Sequence, residues 1–199
     1  MNIAKIVSSN SHVEYIARVV DSLDAANPPK ADDYGFGTFV SVGSPDGGGI
    51  VGVVFNSMLV NPEYSGYGPR LSPKPELGSF SPDFLNEQGC LLAILLLGRF
   101  AGEGEPAQGI PSPVIPAGTD VTSIPERDFL AFHTDTDGSL KLNYYSQVLL
   151  HTGSFAIPLL EKIIGMLTST ESCSDKDAGR LGVLRRSLVW QRNVGQMRL

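Results

Sequence analysis

Acid–base, nucleophilic and metal chemistry draw on His, Cys, Ser and paired carboxylates, and this chain of 199 residues holds few of them in useful patterns. Its three histidines are His12, His133 and His151, and no two lie within five residues of each other, so no local pair has metal-ligand spacing. A turn or surface role is expected for each. The stretch "HTDTDG" (133–138) begins like a calcium loop with Asp135 and Asp137, but the glycine follows the second Asp directly and no acid stands at the closing position. A hairpin turn at Asp137-Gly138 fits better. Ser9 and Ser11 precede His12 closely, but no G-x-S-x-G elbow occurs, and their nearness is read as a loop coincidence until an orienting carboxylate is shown. Cys90 lies inside an apolar run, where a thiolate is poorly solvated. Cys90 and Cys173 form no C-x-x-C pair and are read as free thiols in a reducing compartment. Asp32-Asp33 is the remaining carboxylate pair, and its adjacency in a loop says little. No cofactor is expected.

The charged residues are more informative. After Asp177 there is no acid, while Arg180, Arg185, Arg186, Arg192 and Arg198 follow, so the last 22 residues carry +5 and the preceding 177 carry −11. The net charge of −6 argues against a surface built to bind duplex phosphate over a wide area. The arginine-bearing tail could instead meet the acidic body of a neighbouring subunit. Arg185, Arg186, Trp190 and Arg192 are the candidate contact residues. Tyr64, Tyr67 and Arg70, aromatic and Arg together in a loop, are a second candidate surface. The C-terminal arginines with Trp190 also suit nucleic acid, which keeps that alternative open.

The elements that would position these residues are mainly strands. "IAKIV" (3–7) and "VEYIARVV" (13–20) are β-branched runs split by the turn-prone "SSNSH". "TFVSV" (38–42) leads to Asp46-Gly47, a hairpin signal, and then to "GGIVGVVFNSMLVNP" (48–62). Apolar residues there occupy both faces, and Gly52 in the middle implies a bend or a close backbone. Residues 61–88 are irregular, with a short helix "SPDFLNE" near their end capped by Ser81. "GCLLAILLLGRF" reads as a strand buried on both faces, with a helix as the competing assignment. Its apolar core is about half of the roughly 20 residues a membrane helix requires. The N-terminal "MNIAKIVSSN" lacks the pattern of a secretory signal, so a soluble, cytoplasmic protein with no membrane contact is expected. "TDVTSI" is the last strand, and Ser123 with Glu126 signals a capped helix after it. "TDTDGSLKLNYY" reads as a turn leading into a strand. Phe155, Leu159, Leu160, Ile163, Ile164 and Leu167 recur at helical spacing, with Pro158 limiting where that helix starts. "RLGVLRRSLVW" is expected to be an amphipathic helix, with Leu181, Leu184 and Leu188 on one side.

The order of "GTFVSV", "GGIVGVVFNSMLVNP", "CLLAILLLGRF", "PSPVIPAGTDV" and "IPERDFLAF" resembles the HAS-barrel, the small six-stranded β-barrel at the N-terminus of HerA-type ATPases. The shared features are the "VGVV" run at Val51–Val54, Leu97-Gly98, and the Pro-rich connector from Pro113 to Val121, and the likeness covers about residues 1–133. In the resembling proteins an ATPase domain follows. Here "LLHTGSFAIP" (149–158) has only the "TGS" of a phosphate loop, with no Lys and with Phe155 where a glycine is needed. Gly153-Ser154 therefore reads as a helix start, Ser154 being the cap. The expectation is a mainly β protein, a small closed six-stranded barrel over residues 1–124 followed by an α+β extension over 125–199. The resemblance implies a non-catalytic assembly or docking module, acting on further copies of itself or on a partner such as an ATPase or nuclease. The alternatives are a nucleic-acid-binding accessory protein and a hydrolase assembled from distant loops.

Overall fold

The computed structural model describes residues 1–22, 24–43, 49–60, 89–100, 106–170 and 173–196, with side chains described up to Asn193. Tyr64, Tyr67, Arg70, the Asp46-Gly47 turn and the "SPDFLNE" helix lie outside the described residues. The strands are β1 (Asn2–Ser9), β2 (Glu14–Val19), β3 (Phe39–Val42), β4 (Ile50–Val60), β5 (Gly89–Arg99), β6 (Ala107–Gln108) and β7 (Asp120–Ser123). Pairing runs β2-β1-β7-β3-β4-β5 and returns from β5 to β2, which closes a six-stranded antiparallel barrel; β6 adds to β5 outside the ring. The closing ladder sets Glu14 opposite Leu95 and Arg18 opposite Leu91.

Why β4 and β5 are apolar throughout follows from what covers them. Successive strand residues face opposite sides. On β5, Leu92, Ile94 and Leu96 point into the barrel among Ile3, Ile6 and Val121. Ala93, Leu95 and Leu97 point outward into a second cluster built with the helices. Gly52 shows why a strand glycine is needed here. A Cβ at this position would stand 2.7 Å from Ile94 Cγ2 and 3.1 Å from the Leu95 carbonyl oxygen, and the β4–β5 register shifts between Val51 and Gly52. The ladder is irregular at the point where a side chain would collide with the neighbouring strand. Gly98 serves the same end at the rim, since a Cβ there would lie 2.2 Å from the Ala107 carbonyl oxygen on β6.

Among the described residues four helices follow the barrel: α1 (Glu126–His133), α2 (Tyr145–His151), α3 (Ala156–Thr168) and α4 (Asp175–Gln196). Phe129, Phe132, Val148, Leu159, Ile163, Leu181 and Leu188 lock them onto the outer face of the barrel. The strand expected after the Asp137-Gly138 turn shrinks to one bridge, Thr134 to Leu140. The turn itself forms, with Gly138 at φ +80. Beyond it Tyr144 and Val148, at helical spacing, turn inward to the barrel wall, and Gln147 Nε2 donates to the Leu96 carbonyl. The expected caps also differ. Ser123 stays in β7, and α1 starts from Pro125, whose carbonyl takes the Asp128 and Phe129 amides, both at 3.0 Å. Ser154 sits inside a 3-10 turn, Gly153–Phe155, that runs straight into α3, so that helix has no side-chain cap. Pro158 is tolerated because it lies in the first turn of α3, where its missing N–H has no intrahelical partner.

Candidate functional site

Helix α4 carries Arg180, Arg185, Arg186, Arg192 and the single tryptophan. Ser174 opens it: the Asp177 amide donates to Ser174 Oγ (3.2 Å), and that hydroxyl donates to Asp177 Oδ2 (2.6 Å). Asp177 is buried, and its other oxygen accepts the Leu140 amide at 3.3 Å, which ties α4 to the hairpin turn. Leu181 and Leu188 then face the core. The opposite side presents Val183, Arg186 and Trp190, spaced three and four apart and therefore neighbours on one face. Trp190 is 66% exposed and Val183 57%. Arg186 is exposed and makes no ion pair among the described residues.

The four tail residues singled out by type do not form one patch. Arg192 reaches back to α3 and donates to Glu161 Oε2 at 3.2 Å, so its charge is partly spent within the chain. Arg185, five positions before Trp190, lies about 140° round the helix from it. Arg186 and Trp190 remain together.

A cleft of about 560 Å³ opens where β4 and β5 pass beneath the start of α3. Tyr34, Phe36, Phe55, Cys90, Phe155 and Pro158 line it. Ala31 also lines it, and with Tyr34 bounds a 3-10 turn that carries Asp32 and Asp33 at the rim. Burial, and then the nearby Cys90 and Asp33, push the Tyr34 hydroxyl above its ordinary range. Burial likewise pushes the Cys90 thiol up, which keeps it protonated and a poor nucleophile at neutral pH. A second cleft, about 390 Å³, lies between Phe39, Glu126 and Lys162.

The histidines part company. His12, between β1 and β2, sits with Nε2 at 2.7 Å from the Pro111 carbonyl oxygen. His151 ends α2. His133, expected in a turn or at the surface, is instead fully buried, because the α1 face that carries Phe129 and Phe132 carries it into the core. Its Nδ1 lies 2.7 Å from the Phe129 carbonyl oxygen, so the hydrogen is on Nδ1, and Nε2 accepts from the Tyr144 hydroxyl at 2.5 Å. Phe39, Phe129 and Phe132 pack their rings around it. Desolvation lowers its pKa to about 4, helped by the charge of Lys141 and opposed by the Phe129 hydrogen bond. Desolvation raises the Tyr144 hydroxyl well above 10.0. The two are a neutral, mutually satisfied pair. Among the described residues no cluster of three or more His, Cys, Asp or Glu side chains could hold a metal ion, and no helix is long and apolar enough to cross a membrane.

A family model described as a domain of unknown function, DUF8166, matches residues 1–198. The chain belongs to this family. The DUF8166 match takes in the barrel strands and the described helices, α4 among them. No curated protein matches the chain. Sequence reasoning singled out Arg186 and Trp190, which the structure leaves exposed on one face of α4, and it missed the aromatic cleft, whose walls come from segments far apart in sequence. It missed the burial of His133 as well. The signal for that was available: Phe129, Phe132 and His133 at three- and four-residue spacing mark one helix face.

Proposed function

We propose that the protein is a non-catalytic assembly module of the cytoplasm, which docks a protein partner or a further copy of itself through the outward face of α4. The observation that carries this reading is the exposure of Trp190 beside Val183 and Arg186 on a helix whose other side is bound to the core. A large aromatic left in water next to an arginine is the composition of an interface centre, where Trp, Tyr and Arg supply most of the binding energy. The ionisable groups support the non-catalytic part. The barrel interior is filled by apolar side chains, and His133 has both nitrogens engaged inside the core. On the resemblance to HAS-barrel proteins, a motor ATPase or a nuclease is the kind of protein partner to test first.

The test is a photoreactive aromatic residue at position 190, which keeps a large ring in place of the indole, with one at position 150 as control, because Leu150 is 79% exposed on a different helix. Irradiation in the cell is expected to give a discrete protein adduct from position 190 and none from 150. Adducts that are absent, or the same from both positions, overturn the reading. An adduct that collapses on nuclease treatment replaces it with nucleic-acid binding, which the pairing of Arg186 with Trp190 would also suit.

A further inference from the structure

The exposed tryptophan and the aromatic cleft are complementary features of one chain. Trp190 projects from α4 with Arg186 one turn before it. The cleft is walled by Tyr34, Phe36, Phe55 and Phe155, and at about 560 Å³ it has room for an indole ring. Asp32, exposed on the 3-10 turn at its rim, makes no ion pair among the described residues. None of the lining residues comes from α4. Knob and hole are therefore separate surfaces.

Resting on the docking reading above, we propose that the occupant is a second copy of this chain: Trp190 of one protomer enters the cleft of the next, and Arg186 meets Asp32 at its rim. Charge argues for the copy over an unrelated partner. Arg186 and Asp32 are both exposed and make no ion pair among the described residues, so each copy offers the opposite charge that the other's free group needs at this contact. The indole supplies buried aromatic area, and the guanidinium beside it sets orientation against the acidic rim. Because the two surfaces differ, the contact is head-to-tail. Repeating it closes a ring, or leaves an open chain if the rotation does not close.

Trp190 is the only tryptophan, so its emission reports directly on the contact. Light scattering and fluorescence are followed over a concentration series of the full chain. Mass is expected to rise with concentration while the emission moves to shorter wavelength in parallel. W190A is expected to weaken association by about 30-fold or more, the loss of a central aromatic anchor. A31W, which fills the mouth of the cleft, is read by mass alone and is expected to do the same. R186E and D32R each weaken self-association by about tenfold through like-charge contact. Mixing R186E with D32R restores it, because every contact between the two variants is again of opposite sign. Unchanged circular dichroism of W190A shows that it folds.

A chain that stays monomeric, an assembly that survives both W190A and A31W, a mixture of charge variants that fails to recover, or association without an emission shift overturns the inference. If the chain is monomeric while position 190 cross-links to a different protein, the second copy is refuted and the docking reading stands. If position 190 gives no protein adduct at all, both fall.

Discussion

Lowering the pH from neutral should destabilise this protein through His133. The folded-state pKa is about 4 against the ordinary 6.5, because the ring is desolvated in the core. Between those values the unfolded chain binds a proton at this histidine and the native chain does not, so stability rises with pH across the window. The contribution is complete above pH 6.5 and is lost progressively as pH falls toward 4. A difference of 2.5 between those two values corresponds to roughly 3 kcal/mol, at up to about 1.4 kcal/mol per pH unit. That is a large part of the 5–15 kcal/mol by which domains are typically stable, in round figures. Urea unfolding at steps between pH 7.5 and about pH 5 measures the slope, and the ring-proton NMR signal of His133 reports its titration. Y144F removes the donor to Nε2 and leaves a buried acceptor unmet, at a cost of about 1–3 kcal/mol at neutral pH. A flat stability profile from pH 7 to 5, or a His133 signal titrating near 6.5, would refute the burial argument.

Two further outcomes test the packing. G52V places a branched side chain where even a Cβ stands 2.7 Å from Ile94, and it is expected to cost about 1–3 kcal/mol in urea unfolding or to disrupt the β4–β5 ladder. L188A removes a fully buried contact between α4 and the core, and the expected loss is about 2–5 kcal/mol in the same assay. A chain ending at Asp177 loses both Leu181 and Leu188 and is therefore expected to misfold rather than to report on docking, which is why surface substitutions at Trp190 and Arg186 are the informative perturbation.

Composition and spacing made β4 and β5 legible as strands, and Gly52 as a point of close approach, because backbone sterics and period-2 burial act within a few residues. The Asp137-Gly138 turn and the apolar stripes of α3 and α4 were legible for the same reason. What failed at short range was whatever depended on a neighbour distant in sequence. Ser123 looks like a cap until β1 and β3 claim its strand for the barrel. His133 looks like a turn residue until Phe39 and Tyr144 close over it.

The amino-acid order alone determined the strand-rich first portion, the basic tail and the one tryptophan, since those are local properties of the chain. Tertiary structure decided that Arg192 is held by Glu161 while Trp190 and Arg186 face water, and that Tyr34, Phe36, Phe55, Cys90 and Phe155 meet in one cleft. Pairing β2 with β5 closes the barrel, and the helices can then cover only one side of it. Which side chains are left outside is set by that closure.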